Sequence, residues 1–251
     1  MAKYGSDQVA FFLVNGRNLL GALTQLDEQT EAVIEETTPL GAAFSQHTYV
    51  GLRKAELSQD GYYDDAAGSA HEALSAGPGQ TRVLTYGVEG NSTGKRFMGW
   101  SGALQVNYQR LAKRGELTRA AAKYSNGGGA VVEEGRILHP LSQETSATGN
   151  STGNGYDQVA SGSSGGAGYL QVSDLVLGGF TSWTARILHS ADNLTYAALL
   201  SFSALGATGA TSQRVAVSGS VNRYLAHDWA FGGVSSTVQQ AASYLIGFAR
   251  S

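Results

Sequence analysis

Cysteine is absent from this chain of 251 residues, which excludes disulfides, thiolate catalysis and cysteine-based zinc sites and leaves packing or assembly to hold it together. Long apolar runs are missing as well. The opening MAKYGSDQVAFFLVNGRNLL carries an apolar stretch too short for a membrane span and no organisation of a cleaved signal, so neither a membrane partner nor export by a signal peptide is expected. Charge is sparse, and the formal net charge of -3 supplies no global attraction to nucleic acid or to an acidic membrane.

Catalytic signatures are also wanting. His47, His71, His139, His189 and His227 are scattered without the i, i+4 pairing of a helical metal site, and each reads as a strand or loop residue. No Gly-x-Ser-x-Gly elbow occurs. His189-Ser190-Ala191-Asp192 holds the residue types of a catalytic triad, but neighbouring side chains on a strand point to opposite faces. The run from Gly87 to Lys95 fails as a phosphate loop: only three residues separate Gly90 from the Gly94-Lys95 pair, and Arg96 stands where Ser or Thr is required. Asp60, Asp64, Asp65 and Glu72, beside Gly and Tyr, read as turn formers and caps. No catalytic residue, metal or cofactor is expected.

What is present is glycine, 34 residues of it, with Ser, Thr, Val, Tyr and Ala in short runs, a composition that suits strands and turns. A mainly β chain is expected. The Asn15-Gly16 dipeptide after the apolar run Val9–Leu13 signals a hairpin turn between two short strands. Gln25 to Thr38 is acidic, with Asp27, Glu28, Glu31, Glu35 and Glu36, and reads either as a solvated face or as a surface meeting a basic patch on a neighbouring copy. Thr48 to Tyr63 alternates as a long strand running into an Asp60-Gly61 turn, and Ser69 with Glu72 marks a capping box for one short helix.

The stretch from Thr81 to Gly135 organises the first part. Leu104, Val106 and Tyr108 alternate with Gln105, Asn107 and Gln109, predicting an apolar and a polar face. After Gly115, Leu117, Arg119, Ala121 and Lys123 share one side and Thr118, Ala120, Ala122 and Tyr124 the other, although the alanines would equally allow a helix. Between Lys95 and Lys123 there are seven basic residues and one acid, Glu116, a cationic surface that includes Arg110, Lys113, Arg114, Arg119 and Lys123.

Residues 141–168 are poor in hydrophobes and rich in Gly, Ser, Thr and Asn, so a linker or long surface loop is expected there, marking the boundary between an amino-terminal β domain at 1–140 and a β-sandwich at 169–251. In the latter, apolar or alternating runs at Tyr169–Leu177, Ser182–Leu188, Tyr196–Phe202, Arg214–Val217, Val221–Phe231 and Ser243–Ala249 are separated by turn signals at sandwich-like spacing. Trp183, Tyr196, Tyr224 and Trp229 could form a sugar-stacking platform or pack in its core.

The first part, with VLTYGVEGNSTGKRFMGWSGALQVNYQRLAKRGELTRAAAKYSNGGGAVVEEGRIL, resembles the major tail tube proteins of long-tailed bacteriophages and related tail-like particles. The last part, with WTARILHSADNLTYAALLSF and RVAVSGSVNRYLAHDWAF, is similar to carboxy-terminal β-sandwich extensions of phage structural proteins. The resemblance implies a non-enzymatic virion protein, assembled in the host cytoplasm. Its subunits would form hexameric rings in the family manner, each contributing strands to an inner β-barrel, and the rings would stack into a tube that DNA traverses. Its partners would be other copies, other tail proteins and, transiently, DNA. Glu31, Glu35 and Glu36, and the basic set from Arg110 to Lys123, would then lie at a subunit interface or the lumen, and a loop at Gln46–Gly68 would reach the adjacent ring. A capsid-decorating or tail-fibre-like role and a carbohydrate-binding module are the alternatives.

Overall fold

The computed structural model describes residues 9–40, 43–66, 68–128, 132–233 and 239–251, with the backbone alone for 49–52. The chain is mainly β, as expected. Its strands are β1 (Phe11–Val14), β2 (Arg17–Asn18), β3 (Leu23–Glu36), β4 (His47–Tyr62), β5 (Thr81–Gly87), β6 (Arg96–Leu111), β7 (Arg119–Asn126), β8 (Glu133–Glu144), β9 (Thr148–Asn150), β10 (Tyr156–Asp157), β11 (Gly166–Val176), β12 (Ser182–Ser190), β13 (Ala197–Ser201), β14 (Thr211–Val217), β15 (Tyr224–Gly232) and β16 (Ala241–Arg250). The helix α1 spans Ala70–Ser75.

These elements form two compact units: Met1–Gly21, Val83–Trp100 and Glu133–Ser251 make the first, Ala22–Arg82 and Ser101–Val132 the second. This division differs from the expected cut at 141–168. That segment supplies β9 and β10, both paired with β15, and Leu141 exchanges hydrogen bonds with the Asn91 side chain at 2.7 and 3.0 Å. Burial-based reasoning overlooked it because backbone pairing needs no apolar side chains. Nor is 1–140 one body, since the first residues and 83–100 fold with the carboxy-terminal strands.

In the first unit, one sheet runs β14-β11-β16-β8-β6-β5-β1-β2 and the other β10-β15-β12-β13, with β9 beside β15. All six strand regions expected after residue 168 are present, but the sandwich they build also takes in β8, β9 and β10. Trp183, Ile187, Leu225, Phe231, Tyr244, Ile246 and Phe248 fill the space between the sheets. A second cluster, with Phe11, Leu13, Phe97, Ile137, Tyr169 and Leu245, covers other side chains of the first sheet. β11 and β16 are therefore buried on both faces, which is why their sequences read as continuous apolar runs.

The predicted Asn15-Gly16 turn is formed, with both residues at positive φ (48° and 87°). A Cβ on Gly16 would sit 2.2 Å from the Val172 carbonyl oxygen, so only glycine fits. Its N–H donates to Oε1 of the buried Gln171 at 2.7 Å, and Gln171 Nε2 donates to the Val83 carbonyl at 3.3 Å.

The second unit is an antiparallel sheet in the order β3-β4-β7-β6, to which β6 contributes Ser101–Leu111, with α1 on one face. Ala55, Leu57, Ala103, Ala120, Ala122 and Tyr124 are buried on that face beside Ala73 and Leu74 of the helix. β7 is a strand, settling the helix alternative, with its faces divided as expected. β6 departs from expectation: Gln105 is fully buried and Val106 is exposed. The register slips between Gln105 and Asn107, so Gln105 lies opposite Tyr124 while Tyr108 lies opposite Ala122. A bulge at Val106 thus reverses which residues face inward. Gln105 Nε2 is satisfied by the Leu74 carbonyl at 2.8 Å.

No turn forms at Asp60-Gly61, which continue β4. The capping box is altered too. Glu72 accepts the N–H of Gly68 at 2.6 Å, and the Ser69 hydroxyl donates to the Asp64 carbonyl at 2.6 Å instead of capping α1.

Candidate assembly surface

β3 is an edge strand, paired with β4 along 14 residues and with no other strand among those described. β4 in turn pairs with β7 only from Glu56 onward. Beyond that level, Glu31–Glu36 and His47–Lys54 form a two-stranded ribbon with no third strand among the described residues, joined through residues 37–46. An isolated ribbon of this kind is marginally stable in water. Residues 27–36 are exposed throughout, Ile34 at 57% and, in the connection, Phe44 at 83%. The loop expected at Gln46–Gly68 is therefore mostly strand β4, because its alternating residues find partners on both β3 and β7.

At the opposite margin, residues 79–80 hydrogen-bond to β6 at Gln105, and the following residues through Leu111 pair with β7 alone among the described strands. The sheet thus has two open edges, β3 and the end of β6.

Four members of the expected cationic patch are neutralised within the chain, Arg96 in the first unit by Glu89 and Glu134 (3.2 and 3.3 Å) and three in the second unit. Arg119 makes a bidentate pair with Asp60 (3.0 and 2.7 Å), Lys123 meets Glu56 at 2.7 Å, and Lys113 pairs with Glu116. Glu56 also takes Lys54 at 2.7 Å. Hydrogen bonds from Lys123 and then Lys54 hold its carboxyl at about 2, and the same contact raises Lys54. Which acids of β4 meet the bases of β7 is set by strand pairing, which decides who faces whom. Arg110 and Arg114, exposed near the β6–β7 turn, have no ion pair among the described residues. Glu31, Glu35 and Glu36 all lie on the two-stranded ribbon.

The sheet face opposite α1 is polar. A shallow concavity of about 350 Å³ is lined there by Gln25, Asp27, Ser58, Asp60, Gln109 and Lys123, among others.

In the first unit, the aromatic platform does not form. Trp183 is fully buried because it shares the inward face of β12 with Ala185 and Ile187. Trp229 packs against the same core and stacks on His227, Tyr196 donates to Asn193, and Tyr224 lies under Arg223. The Ser190 hydroxyl donates to Asp192 at 2.8 Å while His189 Nδ1 accepts the Asn222 N–H, so these residues close a turn and make no triad. Sequence reading missed that His139 and His227 meet in the core, with ring centroids 4.7 Å apart. No local signal could have joined positions on β8 and β15.

No protein-family model matches the chain, and no curated protein does. Among solved structures, a chain from the virion of a native gene transfer agent particle is similar at 9% identity and TM-score 0.41, covering 53% of this chain and 98% of that one. A chain from the tail of an empty gene transfer agent particle with C6 symmetry is similar at 11% identity and TM-score 0.38, covering 52% and 97%. The SPP1 Dit (gp 19.1) protein, described as a hub adsorption apparatus in phages infecting Gram-positive hosts, is similar at 11% identity and TM-score 0.35, covering 95% and 98%.

Proposed function

We propose that this chain is a non-enzymatic structural subunit of a phage-type tail tube, polymerising through the sheet of its second unit. The observation that carries the reading is the pair of open edges. The sheet has four strands in strict antiparallel alternation, so its two outermost strands run in opposite directions. When copies are set side by side by a rotation, the β3 edge of one therefore meets the β6 edge of the next in antiparallel sense, and the sheet continues without a break. Acidic residues on β3 (Asp27, Glu28) and Arg110 and Arg114 near the end of β6 give the two edges opposite charge.

A ring closed in this way turns the polar face toward a bore. Its mixture of Asp27, Asp60, Arg119 and Lys123, largely paired, offers DNA no uniform positive lining on which to stick. The ribbon carrying Glu31, Glu35 and Glu36 is then completed by a neighbouring copy, and the sandwich of the first unit is displayed as a stable body. Six copies per ring, stacking into a tube, and contacts with other tail proteins follow from the tail-tube resemblance.

Negative-stain microscopy and sedimentation of the purified full chain test this: stacked hollow rings are expected, and a compact monomer at high concentration overturns it. Reversing Glu31, Glu35 and Glu36 to Lys together should abolish tubes while leaving the monomer folded. Tubes of normal length from that variant would remove the ribbon from the assembly surface.

A further inference from the structure

His139 and His227 come together inside the sandwich of the first unit. Both are buried, His139 at 5% and His227 at 4% exposure. Their rings meet edge to face with centroids 4.7 Å apart. His139 stacks on Tyr244 (4.2 Å, 13°) and His227 on Trp229 (5.7 Å, 15°).

The two histidines have unequal surroundings. Both ring nitrogens of His139 face acceptors, Nδ1 the Tyr244 carbonyl at 3.3 Å and Nε2 the Glu144 carboxylate at 3.1 Å. A second proton on that ring would find a carboxylate waiting. His227 has no carboxylate partner among the described residues: its Nδ1 lies 3.0 Å from the Ser151 hydroxyl. Among the remaining groups, Tyr244 on β16 is kept neutral by burial, and Asp228 on β15 is engaged by Arg186 of β12. His227 also anchors the chain. Its backbone N–H donates to Ser151 Oγ at 3.0 Å, and the Ser151 N–H donates to its carbonyl at 2.9 Å, clipping the end of β9 to β15.

We propose that His139 and His227 form a one-proton acid latch: His139 accepts the first proton, and a second cannot be held on His227 without parting the two sheets, beginning at the Thr148–Ser151 segment clipped to it. A second positive charge beside His139 in a dry core has no compensating anion within reach. Burial lowers His139 despite Glu144, while burial followed by the charge of His139 holds His227 down to about 3. Because both values fall below the ordinary histidine value near 6.5, the stability they contribute is complete above that pH. It is lost as pH falls from there toward the folded-state values. This device belongs to the sandwich alone and stands whether or not the chain forms tubes.

The test is the melting temperature of the full chain against pH, with nuclear magnetic resonance of its histidine ring protons. Between pH 7 and pH 5 the melting temperature should fall by about 5 °C on account of His227, and in the His227→Gln variant that fall should be markedly smaller. In the wild-type protein the His139 signal should move on acidification while the His227 signal stays fixed until the tryptophan signature of the folded core disappears. An unchanged pH slope in the variant, or a His227 that titrates near pH 6.5 with the core intact, would overturn the latch. Should His227→Gln fail to fold, the wild-type titration decides alone.

Discussion

The two units divide their residues between opposite tasks. In the first, β11 and β16 are covered on both faces, and even the polar Gln171 is fully buried with its amide engaged at both ends. In the second, a helix of six residues covers one face of the sheet, and much of β3, both open edges and the ribbon beyond Glu56 face solvent. A chain that buries so much apolar surface in one place has no general shortage of core. Under the proposed function, the exposure of the second unit is surface reserved for a partner, since long open edges left uncovered invite pairing.

The contrast can be broken most directly from the packed side. Trp183→Ala should destabilise the first unit by about 3–5 kcal/mol through lost burial and the cavity left behind, seen in denaturant unfolding. A loss below 1 kcal/mol would mean the sandwich is not the tightly packed partner in the comparison. Gly16→Ala should cost about 1–3 kcal/mol, because alanine tolerates φ near 87° poorly and its Cβ has no space beside Val172. An alanine variant as stable as the parent would show that the turn can move freely away from β11.

Within the second unit the effects should be smaller. Gln105→Leu removes the donor to the Leu74 carbonyl and should cost about 1–2 kcal/mol, read as earlier loss of α1 in hydrogen exchange. Smaller still is Glu56→Gln. The folded-state pKa of Glu56 is depressed, so its contribution is present above pH 4.5 and lost as pH falls toward about 2. The variant should lose that small contribution at neutral pH and show a flatter acid limb in that window, the two stability curves converging toward pH 2. Acid should accordingly reach the two units in sequence, the sandwich from about pH 6.5 and this ion-paired face only below about pH 4.5.

Part of this architecture was legible in the residues. Alternation located β4, β7 and the carboxy-terminal strands, Asn15-Gly16 placed the first turn, and Ser69 with Glu72 marked α1 even though their hydrogen bonds took other routes. The acidic and basic runs were visible, but not that Asp60 and Glu56 would neutralise Arg119 and Lys123, because those pairs depend on which strands become neighbours. The inward turn of Gln105 was hidden by a bulge that no pattern of alternation records.

The residues alone settled a mainly β chain, since period-two alternation and turn-forming glycines act over a few positions and need no distant partner. Which strands join was decided only in three dimensions: Thr148–Asn150 found β15, the opening strands joined the carboxy-terminal body, and His139 met His227 across 88 positions of sequence, 227 minus 139. Backbone hydrogen bonding is blind to side-chain identity, so the choice among many possible pairings rests on the packing of the whole core.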